Sequence, residues 1–272
     1  LKSFREALKK GANTNTDSKI TNQYKCPGCG EIVKEFTTVI AIGPSKGKTV
    51  SSKIGCDCPV YEIVKQEQKE ADQARMKRIF KDYSLVNKSL EQANFKTFDQ
   101  LKFPEAFKTA VDFVKEFDLK QPSNLFFQGT FGTGKSHLSI SISKALVARG
   151  YSSIFISIPK LLTKIRGTYN NHSEVTEEQL VKALYAADLV VFDDIGAEGD
   201  LNGWSAQKLF ELLDQRSGKH NVFTTNLQSD DFEATRDRAR LFSRIMENTT
   251  PVIMNGSDYR KRHFLKEGKE SV

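Results

Sequence analysis

The chain holds 272 residues, 38% hydrophobic and 28% charged, which at about 150 residues per domain suggests one large domain with a real core plus a smaller one and excludes a disordered chain. No apolar run approaches the roughly 20 residues of a membrane span, and Leu1-Lys2-Ser3-Phe4-Arg5 leads into no signal-like apolar stretch, so a cytoplasmic protein is expected. Lys plus Arg (41) outnumber Asp plus Glu (34), and the formal charge of +7 favours a polyanionic partner such as nucleic acid.

All four cysteines fall in one short stretch, as Cys26, Cys29, Cys56 and Cys58. In Cys26-Pro27-Gly28-Cys29-Gly30 the glycines free backbone N–H groups to turn toward thiolate sulfurs, and the returning pair can complete a tetrahedron around a soft cation. Between the pairs, Ile32 to Ile42 and Thr49 to Ile54 flank a turn at Gly43-Pro44-Ser45-Lys46-Gly47, the pattern of a β-hairpin. A zinc ribbon is expected, with an iron–sulfur cluster as the other metal candidate; disulfides fit a cytoplasmic chain poorly. The second pair is Cys-Asp-Cys, a departure from Cys-x-x-Cys. So small a module buries little, and metal binding is expected to supply most of its folding free energy, about 10–16 kcal/mol in comparable zinc peptides.

Residues 59–90 are rich in helix formers, as in Glu62-Ile63-Val64-Lys65-Gln66-Glu67, and predict a solvated helix, either a spacer or a partner-binding element. The domain boundaries expected are therefore 1–58 for the cysteine module, 59–90 for the linker helix and 91–272 for the large domain.

Gly129-Thr130-Phe131-Gly132-Thr133-Gly134-Lys135-Ser136 satisfies the phosphate-loop pattern at every fixed position. A strand is predicted before it at Asn124 to Gln128 and a helix after it from His137 to Arg149, with Leu138, Ile142, Ala145 and Leu146 on its apolar face. In that setting consecutive backbone N–H groups converge on the β- and γ-phosphates, Lys135 adds a point charge, and the Ser136 hydroxyl is expected to ligate Mg²⁺. The side chains of His137, His172, His220 and His263 show no ligand spacing; His137 is expected to offer its backbone N–H to the nucleotide.

Leu189-Val190-Val191-Phe192-Asp193-Asp194 reads as an apolar strand ending in two carboxylates. Asp193 sits where a Mg²⁺ partner belongs, and Asp194 where a group polarising the attacking water belongs. Val222 to Thr225 is a further strand, and Asn226 at its end can orient that water. With Ser153 to Ile158 and Thr250 to Met254 the chain offers about five buried strands interleaved with helices, a parallel α/β sheet with its ligand at the carboxyl ends.

The phosphate loop, Asp193-Asp194-Ile195-Gly196-Ala197-Glu198, Trp204, Thr224-Thr225-Asn226, Ser243-Arg244-Ile245-Met246-Glu247 and Asp258-Tyr259-Arg260 together resemble the DnaC/DnaI replicative helicase loaders, AAA+ ATPases related to the DnaA initiator. The resemblance spans roughly residues 90 to 265, and the cysteine module resembles the N-terminal zinc domain of the DnaI type. It implies that Asn226 is sensor I, that Arg260 is sensor II, and that Arg244 is an arginine finger supplied in trans, with Arg240 and Arg238 as alternatives. Two positions depart from the family: Asn248 stands where many relatives carry a second Arg, and Asp194 where most AAA+ proteins have Glu. The side chain is shorter by about 1.5 Å, which predicts slow hydrolysis suited to a timer or switch.

The family also places a DNA-touching helical element between the second and third strands. Here that segment carries Lys164 and Arg166 for phosphates and Tyr169 as a stacking face, and it reads equally as an ordinary amphipathic helix. The resemblance implies an ATP- and Mg²⁺-dependent ATPase, stimulated by single-stranded DNA, that self-associates through its AAA+ domains. It would place a hexameric replicative helicase on single-stranded DNA. The alternatives are an IstB-type transposition ATPase and a regulator that binds a replication protein and uses nucleotide only for folding.

Overall fold

A computed structural model describes residues 19–40, 42–56, 58–168, 177–197 and 203–261. The chain forms two compact units, Leu1–Glu70 and Ala71–Val272.

The first unit is an antiparallel sheet of β1 (Lys19–Lys25), β2 (Ile32–Val39) and β3 (Thr49–Ile54) in that order. The expected hairpin is present, paired from Val39↔Thr49 to Lys34↔Ile54. Strand β1 has a mostly polar sequence that hides it from a hydrophobicity reading; it enters the first cysteine knuckle and pairs back from Lys25↔Ile32. Val33 is buried at 4% exposure, whereas Ile20, Ile32, Val50 and Ile54 are each about half exposed or more. Among the described residues this sheet holds little core of its own.

Helix α1 (Cys58–Tyr83) starts on the last cysteine and runs through the boundary at Glu70. It stops seven residues short of position 90. The chain leaves it because Leu85 joins Ile156 in a parallel bridge. The Leu85 N–H donates to Phe155 O at 2.8 Å, and the Phe155 N–H to Ser84 Oγ at 2.9 Å.

The second unit is an α/β fold around a five-stranded sheet of β4 (Asn124–Gln128), β5 (Ser153–Ser157), β6 (Leu189–Ile195), β7 (His220–Thr225) and β8 (Thr249–Ile253). The strand order is β5-β6-β7-β4-β8 and every pair is parallel. Alternate residues feed two cores. Phe126, Ile154, Ile156, Phe192 and Phe223 pack under α4 (Ile158–Thr168), α5 (Glu177–Ala186), α6 (Gly203–Gln215) and α8 (Arg236–Ile245), which follows the short α7 (Ser229–Glu233). Leu125, Phe127, Phe155, Val191 and Val222 pack under α2 (Pro104–Lys115) and α3 (Lys135–Ala148).

Two expectations need correction. Strand β8 is not buried: it forms the sheet edge, with Val252 inside and Thr250, Pro251 and Ile253 exposed, and an edge is where a strand proline is tolerated. Helix α3 is buried nearly all round rather than along one stripe. Its serines lie inside because Ser139 Oγ and Ser141 Oγ donate to the carbonyls of Lys135 and His137, one turn earlier.

Candidate active site

Parallel register brings the strand ends Gln128, Ser157, Asp193 and Thr225 to one edge of the sheet. The chain passes from β4 through α3 out to β5 and then steps back, so the order reverses beside β4 and leaves a crevice there. A cleft of about 520 Å³ occupies it, lined among others by Lys135, Ser136, His137, Asp193, Asp194, Asn226 and Arg260.

The phosphate loop turns between β4 and α3 at Gly132 and Gly134, with φ of 71° and 97°. A side chain at Gly132 would place its Cβ 1.7 Å from Asp258 Oδ1, and one at Gly134 would meet Phe98 at 2.8 Å, so both positions need glycine for space as well as for φ. Helix α3 then opens with Lys135, and its first backbone N–H groups have no intrahelical partners. Lys135 is 5% exposed, and its Nζ donates to Gly129 O at 2.9 Å, Thr130 O at 2.7 Å and Asn226 Oδ1 at 2.7 Å. Burial pushes its pKa down to about 8; the Asp194 and Asp193 carboxylates oppose the shift and Arg260 adds to it.

Strand β6 ends in a register shift between Phe192 and Ile195, and Asp194 takes φ of 61°. This irregularity turns consecutive carboxylates into one cleft where a regular strand would send them to opposite faces. Asp193 is fully buried, and its Oδ1 accepts the Thr224 hydroxyl at 2.7 Å. The same hydroxyl accepts the Asp194 N–H at 2.9 Å. Burial, then the neighbouring Asp194 carboxylate, raises the Asp193 pKa to about 7, with the Thr224 and Ser136 hydroxyls acting the other way. Burial likewise raises that of Asp194, against the pull of Lys135 and Arg260.

Asp193 Oδ2 is buried and, among the described residues, has no hydrogen-bond partner. An orphaned carboxylate oxygen facing the cleft with Ser136 suits a hard divalent cation, so these residues fit Mg²⁺.

Residues 255–260 fasten the loop from outside. Asn255 Oδ1 accepts the Thr130 N–H at 3.2 Å, Thr130 Oγ1 donates to Gly256 O at 2.7 Å, and the Tyr259 N–H donates to Gly132 O at 3.0 Å. Thr133 Oγ1 closes the turn on Thr130 O at 3.0 Å. Arg260 lies at the mouth of the cleft with its guanidinium on Asp258, at 3.0 and 3.2 Å. From the other side, residues 87–103 line the cleft through Asn87, Leu90, Phe98 and Phe103.

Other expected residues lie away from this cleft. Arg244 is held by Asp214 at 2.5 Å and Glu247 at 2.7 Å on the α8 surface. Arg240 lies over the Phe210 ring at 4.7 Å, and Arg238 donates to Asp231 O at 3.3 Å. On α4, Lys164 is half-buried, and the exposed Arg166 stacks on Trp204 at 4.7 Å while donating to Ser205 Oγ at 3.1 Å. Tyr169, His172, Glu198 and His263 lie outside the described residues.

In the first unit the sulfurs of Cys26, Cys29, Cys56 and Cys58 all lie within 4.8 Å of one another. The closest pairs are Cys56–Cys26 at 3.2 Å, Cys29–Cys56 at 3.5 Å and Cys26–Cys58 at 3.8 Å. Tetrahedral thiolates 2.3 Å from zinc stand about 3.8 Å apart, so this cage and its all-sulfur donor set suit one such ion. The Cys29 backbone N–H, helped by the Cys56 thiol, draws the Cys26 pKa down to about 6.

Three features escaped the sequence reading. Thr224 stands in the sequence as part of a strand end and of the Thr224-Thr225-Asn226 motif with no role of its own, although a hydroxyl next to a strand-end Asn beside a buried Asp is a usable signal. The clamp of Asn255, Gly256 and Asp258 gave none beyond Asp258-Tyr259-Arg260. The His137 side chain, which has no ligand spacing in the sequence, contacts residues 94–97, with Nε2 at 2.9 Å from Asn94 O.

The IstB-like ATP binding protein family model matches residues 38–267. The chain is 31% identical over 169 residues to the replicative helicase loader DnaC of Escherichia coli K12, a match covering 60% of this chain and 66%, just under two thirds, of that protein. It is 23% identical over 219 residues to the replicative helicase loader DnaI of Bacillus subtilis, covering 75% and 68%. A crystal structure of DnaI superposes with a TM-score of 0.54 at 22% identity, covering 64% of this chain and 94% of that one, a likeness of fold.

Proposed function

Because the chain belongs to the IstB-like ATP-binding protein family, we propose that it is an ATP-controlled loader of a hexameric replicative DNA helicase onto single-stranded DNA. The observation that carries this reading is the convergence of Lys135, Ser136, Asp193, Asp194, Asn226 and Arg260 on one cleft. Its support is that each group has a separate task there.

The loop glycines and the start of α3 offer backbone N–H groups to the β- and γ-phosphates of ATP. Lys135, released from Gly129, Thr130 and Asn226, adds its charge to the same oxygens. Ser136 and Asp193 would hold Mg²⁺, which neutralises phosphate charge when bound. Asp194 accepts a proton from the attacking water, and Asn226 orients that water once its amide is free of Lys135. Arg260 reaches the phosphates from the C-terminal segment. Arg244 does not line its own chain's cleft, which supports a role toward a neighbour's nucleotide and hence self-association side by side.

The cysteine module would bind zinc through Cys26, Cys29, Cys56 and Cys58. Its exposed Ile20, Ile32, Val50 and Ile54 offer an apolar face suited to a protein partner, here the helicase. Residues 59–90 would connect it to the ATPase domain of residues 91–272. Lys164, Arg166 and the neighbouring Trp204 combine cations with a ring for stacking, as single-stranded DNA requires.

The deciding experiment is capture of a hexameric replicative helicase by the full chain, with and without Mg-ATP. Nucleotide-dependent capture, with ATPase stimulated by single-stranded DNA, is expected. Capture of a transposase and duplex DNA in place of the helicase would move the assignment to an IstB-type transposition ATPase.

A further inference from the structure

We propose that Lys144 and His137 are positioning residues for the nucleoside half of the ligand, holding residues 84–103 as a strap that forms the cleft wall. This deepens the reading that the cleft takes a nucleoside triphosphate, and it rests on that reading.

The two side chains stand seven residues apart on α3, two turns on one face of the helix that begins at the phosphates. The Lys144 ammonium donates to Glu91 O at 2.6 Å, Ala93 O at 2.8 Å and Leu90 O at 3.4 Å. His137 Nε2 lies 2.9 Å from Asn94 O and 3.1 Å from Thr97 Oγ1. A carbonyl has no proton to give, so Nε2 is the protonated nitrogen and donates. The imidazole also meets Phe98 edge-on at 5.4 Å, and Phe98 packs over Gly134 of the phosphate loop.

The anchored segment consists of loop and two three-residue 3₁₀ turns, Lys88–Leu90 and Phe95–Thr97. Turns this short hold themselves weakly, so the wall depends on tertiary anchors. The phosphate loop and Lys135 account for the triphosphate end. The strap side of the cleft, with the apolar Leu90, Phe98 and Phe103, is left to receive the base and ribose. An unanchored strap must be ordered when the nucleoside binds, and that cost weakens nucleoside binding while leaving phosphate binding as it was.

The test compares two ligands by calorimetry in the full chain, a nonhydrolysable ATP analogue and inorganic tripolyphosphate, each with Mg²⁺. Lys144→Met, which keeps the aliphatic stem, is expected to raise the Kd for the ATP analogue about tenfold and to leave tripolyphosphate affinity within about twofold of wild type. His137→Ala is expected to do the same, and His137→Gln, which keeps a donor at similar reach, to restore most of the loss. This second pair keeps the proposal falsifiable should Lys144→Met fail to fold. Unchanged ATP-analogue affinity in the folded variants overturns the proposal, as does parallel weakening of both ligands. Failure of the wild-type chain to bind either ligand overturns the nucleotide reading beneath it.

Discussion

Thr224 donates its hydroxyl proton to Asp193 Oδ1 across 2.7 Å, and its lone pair takes the backbone N–H of the very next residue, Asp194. One side chain on β7 thereby sets the carboxylate at the end of β6 and the backbone turn that aims its neighbour. Thr224→Val keeps the shape and deletes both bonds. It leaves buried Oδ1 without its donor, at a cost of about 1–3 kcal/mol of stability. It also removes a hydroxyl that favours the charged carboxylate, so Asp193 gives up its proton less readily. Turnover is expected to fall tenfold or more, with a higher Mg²⁺ requirement. A Mg²⁺ titration of ATPase rate beside a thermal melt measures both, and an unchanged Mg²⁺ requirement counts against the relay.

Asp194 occupies φ of 61°, a region Asn and Asp tolerate better than other side chains. Asp194→Asn therefore preserves the backbone while removing the carboxylate proposed as the base. Turnover should drop at least a hundredfold, with ATP affinity within about threefold of wild type. Asp194→Ala should lose turnover equally and in addition lose about 1 kcal/mol of stability to strain. Single-turnover hydrolysis and calorimetry on both variants separate the effects, and wild-type turnover in either removes Asp194 from the chemistry.

These residues differ in how far a linear sequence reveals them. The phosphate loop was legible because strand, glycine turn and helix are contiguous and each glycine has a local reason to be there. Asp193 and Asp194 were legible as carboxylates after an apolar run. Thr224 was not, because its meaning depends on a cross-strand register shift at Phe192 and Ile195 that no periodicity records. The clamp on Thr130 comes from residues 125 and 126 positions away. The exposure of β8 follows from strand order, which sequence does not carry, although Pro251 was a local hint. Polar β1 pairs through its backbone, backed by Thr21 Oγ1 donating to Glu35 O at 3.2 Å, and no hydrophobic pattern marks it.

Burial disfavours the Lys135 charge and pulls its pKa down to about 8. A bound triphosphate favours the ammonium and raises that pKa. Between the free and bound values, binding must therefore take up a proton. Measured without Mg²⁺, so that Asp193 and its pKa of about 7 do not add a cation-linked slope, affinity for tripolyphosphate or ATP should fall up to tenfold per pH unit above pH 8. Lys135→Arg, whose charge persists throughout, should bind more weakly but lose this slope. Calorimetry from pH 7 to 9.5 reads both, and a wild-type slope that survives in Lys135→Arg assigns the titration to another group.

The sulfur cage predicts one zinc per chain, bound by four thiolates. Substituted Co²⁺ should give the intense visible absorption of a tetrahedral thiolate site, and Cys26→Ser should abolish it. A strong chelator should unfold the three-stranded sheet, since Val33 is its main buried side chain, while nucleotide binding by the second unit persists. Metal analysis before and after chelation, paired with circular dichroism and ATP calorimetry, provides the readings. A sheet that stays folded without metal contradicts the dependence.

Trp204 is the chain's one tryptophan, 37% exposed, and Arg166 lies over its ring at 4.7 Å. A base stacked on that indole would quench its emission, so the chain carries its own probe for single-stranded DNA. The guanidinium holds one face of the ring and is positioned by Ser205 Oγ, which leaves the cation close to where a phosphate would pass. Titration with an oligonucleotide is expected to quench Trp204 with a steep salt dependence, as counterion release demands. Arg166→Ala should weaken binding severalfold and flatten that salt slope by about one counterion, while Trp204→Phe should lose the signal and retain part of the affinity in an anisotropy assay. Quenching that is absent at low salt, with oligonucleotide still bound by anisotropy, would put the DNA on a different surface and return α4 to the status of an ordinary amphipathic helix.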